Sequence, residues 1–236
     1  PMLTVFVLIA LGLLGGYLVN RAADVLPRGH PAVLVASASP TTAAAVRTGF
    51  GAWRPGLVYG MATLLACLAV VAWGQTPAAL VVMGYSWFLL AVAVIDLEHR
   101  LVLNRMLAPG AVGALILSLA TGLPPWSSAL AAALVGFGLF WLLRLPYPQG
   151  MGMGDVKLAG FIGLITGWPG VLVALVIGIL AGGLAALGVV LVKSQWRPWR
   201  FPRGHSFAYA PYLVFGAWVV LFAFPHLVGS LSLWLR

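Results

Sequence analysis

Four acidic residues occur among 236, and they frame the chemistry open to this chain: Asp24, Asp96, Glu98 and Asp155. Asp96 closes the apolar run "FLLAVAVID" and Asp155 follows "GMGMG" at the head of another, so both lie at a lipid-water boundary or below it. A carboxylate at that depth is costly to keep and is a functional candidate. The plain alternative makes Asp96 a solvated helix end and Asp155 an N-cap favoured by the helix dipole. Two carboxylates across one wet notch have a use. Close like charges cannot both ionise easily, so one keeps a proton, and the acid and base together activate a water. That is the chemistry of an aspartic protease. Gly152 and Gly154, with Met153 between them, fit this use, since glycine admits unusual backbone angles and lets an extended peptide approach a carboxylate. Their plain reading is a flexible turn.

The elements that must hold these acids are apolar runs separated by Pro, Gly or charge. They fall at about Leu3 to Val19, Gly56 to Trp73, Ala78 to Ile95, Met106 to Leu123, Ser128 to Leu143, Val156 to Trp168, Gly170 to Val192 and Phe207 to Phe224. The expected fold is all-α: a polytopic membrane protein of about eight transmembrane helices, forming a single domain over 1–236 with a cytoplasmic insert at 20–55. The sixth run is short. Its 13 residues reach about 20 Å, against a hydrocarbon core of about 30 Å. If Trp168 and Pro169 mark the outer surface, Asp155 lies about 10 Å beneath the inner edge, where non-helical backbone survives only beside protein or water.

Composition agrees. Hydrophobic residues make up 62% of the chain and charged residues 7%, against about 25% charged in soluble domains; mean hydropathy is +1.06. A soluble globule is excluded. The net charge of +9 needs no nucleic acid to explain it, because basic loops facing the cytoplasm are the default in membrane proteins. Twelve of the 13 Lys and Arg residues fall in alternate connections, while "GQTP", "PPWS" and the turn at Pro169 carry none, so both termini are expected outside. The first stretch continues into a basic loop without a small-residue cleavage pattern and reads as a span; Pro1 suggests a trimmed or engineered start.

The segments "GMGDVKLAGFIGLITGW" and "AVIDLEHRLVLN" resemble those of type IV prepilin peptidases, the bacterial branch of the GxGD aspartyl proteases. Asp96, Asp155, Lys157 and Leu158 occupy the positions of that family's pattern, and "GGYLVNRAADVLPRG" and "FAYAPYLVFGAW" are similar to its first-helix exit and the lead-in to its last helix. The resemblance implies cleavage of a basic leader from prepilins or pseudopilins at the cytoplasmic face of the bacterial inner membrane. Asp96 and Asp155 would be the catalytic pair, with Gly152, Met153, Gly154 and Lys157 shaping the site. Many members carry two Cys-x-x-Cys pairs that bind zinc in the first cytoplasmic loop, and also methylate the new amino terminus from S-adenosylmethionine. Here that loop has no cysteine, so no metal is expected and a peptidase-only, short-loop variant is. After Asp96, the family's frequent Leu-Pro-Asp reads Val102, Leu103, Asn104.

Other residues have plainer readings. Glu98, about 200° around a helix from Asp96, reads as a solvated rim beside His99 and Arg100. Asp24 reads as a loop charge near Arg21 and Arg28, and Lys157 chiefly as a surface anchor. The segment "KSQWRPWRFPRGHS" suits headgroup anchoring, Cys67 suits packing, and His30, His99, His205 and His226 form no metal pattern. A competing class is a small proton-coupled transporter using both aspartates.

Overall fold

In a computed structural model of the chain, residues 2–29, 53–146, 148, 151–194 and 209–234 are described. They form eight α-helices and one 3-10 turn, with no strand among them. The helices are α1 (Met2–Val25), α2 (Arg54–Trp73), α3 (Pro77–His99), α4 (Asn104–Thr121), α5 (Trp126–Arg144), α6 (Met153–Thr166), α7 (Gly170–Ser194) and α8 (Ala210–Trp234); the turn is Leu26–Gly29. Each expected run has its helix. The first runs six residues beyond Val19, so Asp24 lies in the last turn of α1 and not in a loop. Most of the 20–55 insert, at 30–52, and most of the basic segment after Ser194 lie outside the described residues.

Among the described residues, five helices are long and apolar enough to cross a membrane: Phe6–Val25, Arg54–Trp73, Pro77–His99, Trp126–Arg144 and Gly170–Gly188. This is a multi-pass membrane protein. Its helices turn large apolar side chains outward, among them Phe6, Leu13 and Leu18 on α1, Leu134 and Leu142 on α5, and Leu180 and Leu184 on α7. In water such a surface would aggregate; in a bilayer it meets lipid.

Contacts divide the chain into two compact units, residues 1–110 with 221–236, and residues 111–220. In the first, α1 buries Gly12, Gly16, Val19, Asn20 and Ala23, while α2 buries Val58, Ala62, Leu65, Ala66 and Ala69. Both sets recur every three or four residues, which is the stripe one helix presents to another. Gly12 lies on Thr63 and Gly16 on Tyr59, so α1 and α2 run antiparallel. Gly15 lies on the ring of Trp87 in α3, whose indole N–H donates to the Ala62 carbonyl at 3.1 Å. Hydrocarbon solvent supplies no hydrophobic drive between helices, so close backbone approach through small residues is what holds them.

In the second unit α5 and α6 meet the same way. Gly136 lies on the Ala159 carbonyl, Gly160 on Phe137 and Ala133, and Gly163 on the Ala132 backbone, again antiparallel. Helix α7 packs Ala174, Gly178 and Gly182, one residue per turn, against Gly216 and Leu213 of α8 and Tyr209 just before it. Helix α6 has 14 residues, about 21 Å at about 1.5 Å each. It is as short as expected, and everything from Leu158 to Thr166 is buried.

Candidate active site

Asp96 sits in the last turn of α3, in the first unit, with 4% of its surface exposed. Its carbonyl accepts the Arg100 N–H at 2.8 Å, and Arg100 takes the left-handed conformation at φ 53° that ends the helix. The chain then resumes helix at Asn104, with the Leu103 carbonyl accepting from Met106 and Leu107. The αL residue of this link is Arg100, ahead of Val102-Leu103-Asn104, and that departure leads directly into α4.

The other acids of this unit differ from their sequence readings. Glu98 is no solvated rim: its side chain is 15% exposed, and Arg54 donates one nitrogen to both its oxygens at 3.1 and 3.2 Å. The other terminal nitrogen of Arg54 binds Asp24. A guanidinium at the head of α2 thus ties the ends of α1 and α3. Sequence reasoning missed this because Asp24 has Arg21 and Arg28 close by, whereas its partner lies 30 residues away.

Asp155 stands in the first turn of α6, in the second unit, where the helix dipole favours a negative charge. Gly152 is the N-cap, so Asp155 is not, although its N–H still donates to the Gly152 carbonyl at 3.2 Å. Its carboxylate folds back toward Gly152: a Cβ placed there would stand 3.5 Å from Oδ2. Exposure falls steeply along this turn. Gly152 and Met153 are exposed, Gly154, Asp155 and Lys157 are half-buried, and Val156 and Leu158 are buried. The structure therefore gathers Gly152, Met153, Gly154, Asp155 and Lys157 at one helix start.

Two further residues of this unit serve that start, and neither was picked out in the sequence. Arg144, at the end of α5, donates its Nε–H to the Met151 carbonyl at 3.1 Å and so braces the backbone leading into the motif. Tyr209, just before α8, lodges its ring beside Gly182 and 6.4 Å from the ring of Phe140. Burial first, and the negative charge of Asp155 second, push its phenol up to about 12. The Asp155 charge therefore acts on a neutral hydroxyl.

The sequence profile of the type IV leader peptidase family matches residues 83–187, a stretch that contains both Asp96 and Asp155. Over that stretch the chain is similar to the type IV leader peptidase family. It is similar to proteins named prepilin leader peptidase/N-methyltransferase. Identity is 29% over 166 residues with that of Aeromonas salmonicida, covering 68% of this chain and 54% of the relative. With that of Aeromonas hydrophila it is 28% over 176 residues, 69% of this chain and 57% of the relative. With that of Xanthomonas campestris it is 33% over 146 residues, 58% and 47%. The chain spans about half the length of these curated relatives. No solved structure matches it. The matched stretch runs from within α3 into α7; α1, α2 and α8 lie outside it, as do Asp24, Arg54 and Tyr209.

Proposed function

We propose that this chain is a membrane aspartic endopeptidase that removes the basic leader of type IV prepilins or pseudopilins at the cytoplasmic face of the inner membrane, with Asp96 and Asp155 as its catalytic pair. One observation carries the reading: the leader peptidase match includes both acids, each in the terminal turn of a helix. An ionised carboxylate takes a proton from water as the water oxygen attacks the scissile carbonyl. The protonated partner gives its proton to the carbonyl oxygen, forming a tetrahedral diol. The C–N bond then breaks as a proton passes to the leaving amine, and the starting protonation of the pair is restored. The exposed Gly152 and Met153 beside a half-buried Asp155 support a wet approach for a peptide backbone, and Lys157 anchors the same helix turn near the surface.

Neither zinc nor S-adenosylmethionine enters the reaction in this reading, because the first loop lacks cysteines and Cys67, the single cysteine, lies within α2. The experiment incubates the protein in membranes with a panel of prepilins and reads the products by mass spectrometry. Leader loss is expected from the wild type and is abolished in Asp96→Asn and in Asp155→Asn, without the mass of an added methyl group. Intact prepilins alongside proton flux that needs both acids would replace the peptidase with a transporter. A cysteine at Gly154 should label from the cytoplasmic side; no labelling in a folded protein would remove the wet approach.

A further inference from the structure

We propose that Arg54 is a positioning residue for Asp96, a clasp that sets the last turn of α3 by holding Glu98 and Asp24 together. The inference rests on the aspartic reading of Asp96. A helix end has no hydrogen-bonded turn beyond it and frays unless something else fixes it. Here Asp96, Glu98 and His99 all lie in that terminal turn, and the chain leaves it at once through the αL residue Arg100.

Arg54 meets the turn from α2. Its contact with both Glu98 oxygens restrains that carboxylate, and its contact with Asp24 fixes the guanidinium against α1. The Arg54 and Glu98 side chains are 14% and 15% exposed, so the pair is shielded from the screening that makes surface pairs weak. Glu98 projects about 200° around the helix from Asp96. The clasp therefore restrains the rotation of the turn without placing a cation on the catalytic carboxylate's own face. Asp24, with 48% of its side chain exposed, is the weaker arm.

The test uses the full chain in detergent or membranes, with Arg54→Gln, Arg54→Lys, Glu98→Gln and the double variant Arg54→Gln/Glu98→Gln. Misplacing a reacting group by about 1 Å can cost about 100-fold in rate. The expected result is a fall in kcat for leader cleavage of at least about tenfold in Arg54→Gln, with KM little changed and a smaller fall in Arg54→Lys. The double variant should be no slower than the worse single one, because both remove one interaction. A spin label at Leu97→Cys, in a Cys67→Ser background, reads the turn without activity; Leu97 is 53% exposed and has room for it. The label should gain mobility in Arg54→Gln. An unchanged spectrum would overturn the proposal whether or not prepilins are cleaved, and a mobilised label with unchanged kcat would reduce the clasp to a purely structural tie. Wild type that leaves prepilins intact, with a mobilised label in Arg54→Gln, would remove the aspartic reading and with it the positioning role.

Discussion

Tyr209 illustrates what a single residue adds to an acid that the sequence already marks. Asp155 stands out because acids are rare in this chain, but a tyrosine in an aromatic-rich segment carries no comparable signal. Its position follows from Gly182, whose missing side chain leaves room for the ring, and from Phe140. With a phenol pushed up to about 12, Tyr209 stays neutral throughout any working range and acts near Asp155 as a dipole, not as a titrating group. Tyr209→Phe should therefore change the rate of leader cleavage while leaving the pH-rate profile unshifted up to about pH 10; an alkaline limb that moves in the variant would contradict this. Stability gives a second readout. A folded pKa raised above the ordinary value of 10.0 supplies stability that is whole below pH 10 and lost as pH rises toward about 12. Wild type should thus lose thermal stability relative to Tyr209→Phe across that window, and not below it. The Asp24-Arg54-Glu98 clasp was hidden for a related reason. Residue offsets reveal partners within a helix, not partners 30 and 44 positions away.

At the scale of elements, the apolar runs locate all eight helices, because Pro, Gly and charge interrupt them wherever the backbone must turn. Ends are less visible. Helix α1 continues through Ala22 and Ala23, which favour helix, to an Asp24 whose ionic partner is elsewhere, whereas hydropathy alone stops at Asn20. Which glycines bear contacts is also invisible in the sequence. Gly138 in α5 has open space where a Cβ would go, but Gly163 in α6 rests on the Ala132 backbone. Backbone cannot rotate aside as a side chain can, so Gly163→Ala must push α5 and α6 apart, at a cost of about 1–3 kcal/mol. Gly138→Ala meets nothing and should gain up to about 1 kcal/mol from helix propensity. Thermal unfolding in one detergent should show opposite signs for the two variants. The Gly163 variant should also lose leader cleavage, because its helix carries Asp155. Equal shifts would mean that glycine content, and not the α5-α6 contact, sets stability.

For the molecule as a whole, the distribution of cations gives an orientation that no single helix could. Among the described residues, Arg21 lies near the end of α1, Arg54 begins α2, Arg100 caps α3 and Arg105 lies in the first turn of α4. Arg144 ends α5 and Lys157 lies near the start of α6. The links 74–76, 122–125 and 167–169 carry no Lys or Arg, so charge alternates from one connection to the next. Short α6 is the element most able to break this alternation, since at about 21 Å it falls short of a core of about 30 Å. If α6 fails to cross, the cations of the link between α7 and α8 fall on the side opposite to Arg100, against the orientation rule. The rule therefore favours eight crossings, with neighbouring helices enclosing α6 where lipid would otherwise have to thin. Alkaline phosphatase fused after Arg236 should be active and should be inactive when inserted at Val102, with a cytoplasmic fluorescent reporter giving the reverse pattern. The decisive fusion is at Pro198, between α7 and α8. Phosphatase activity there would leave α6 as a re-entrant segment and place Arg197, Arg200 and Arg203 outside, whereas its absence means that α6 crosses and the alternation of charge holds to the last link.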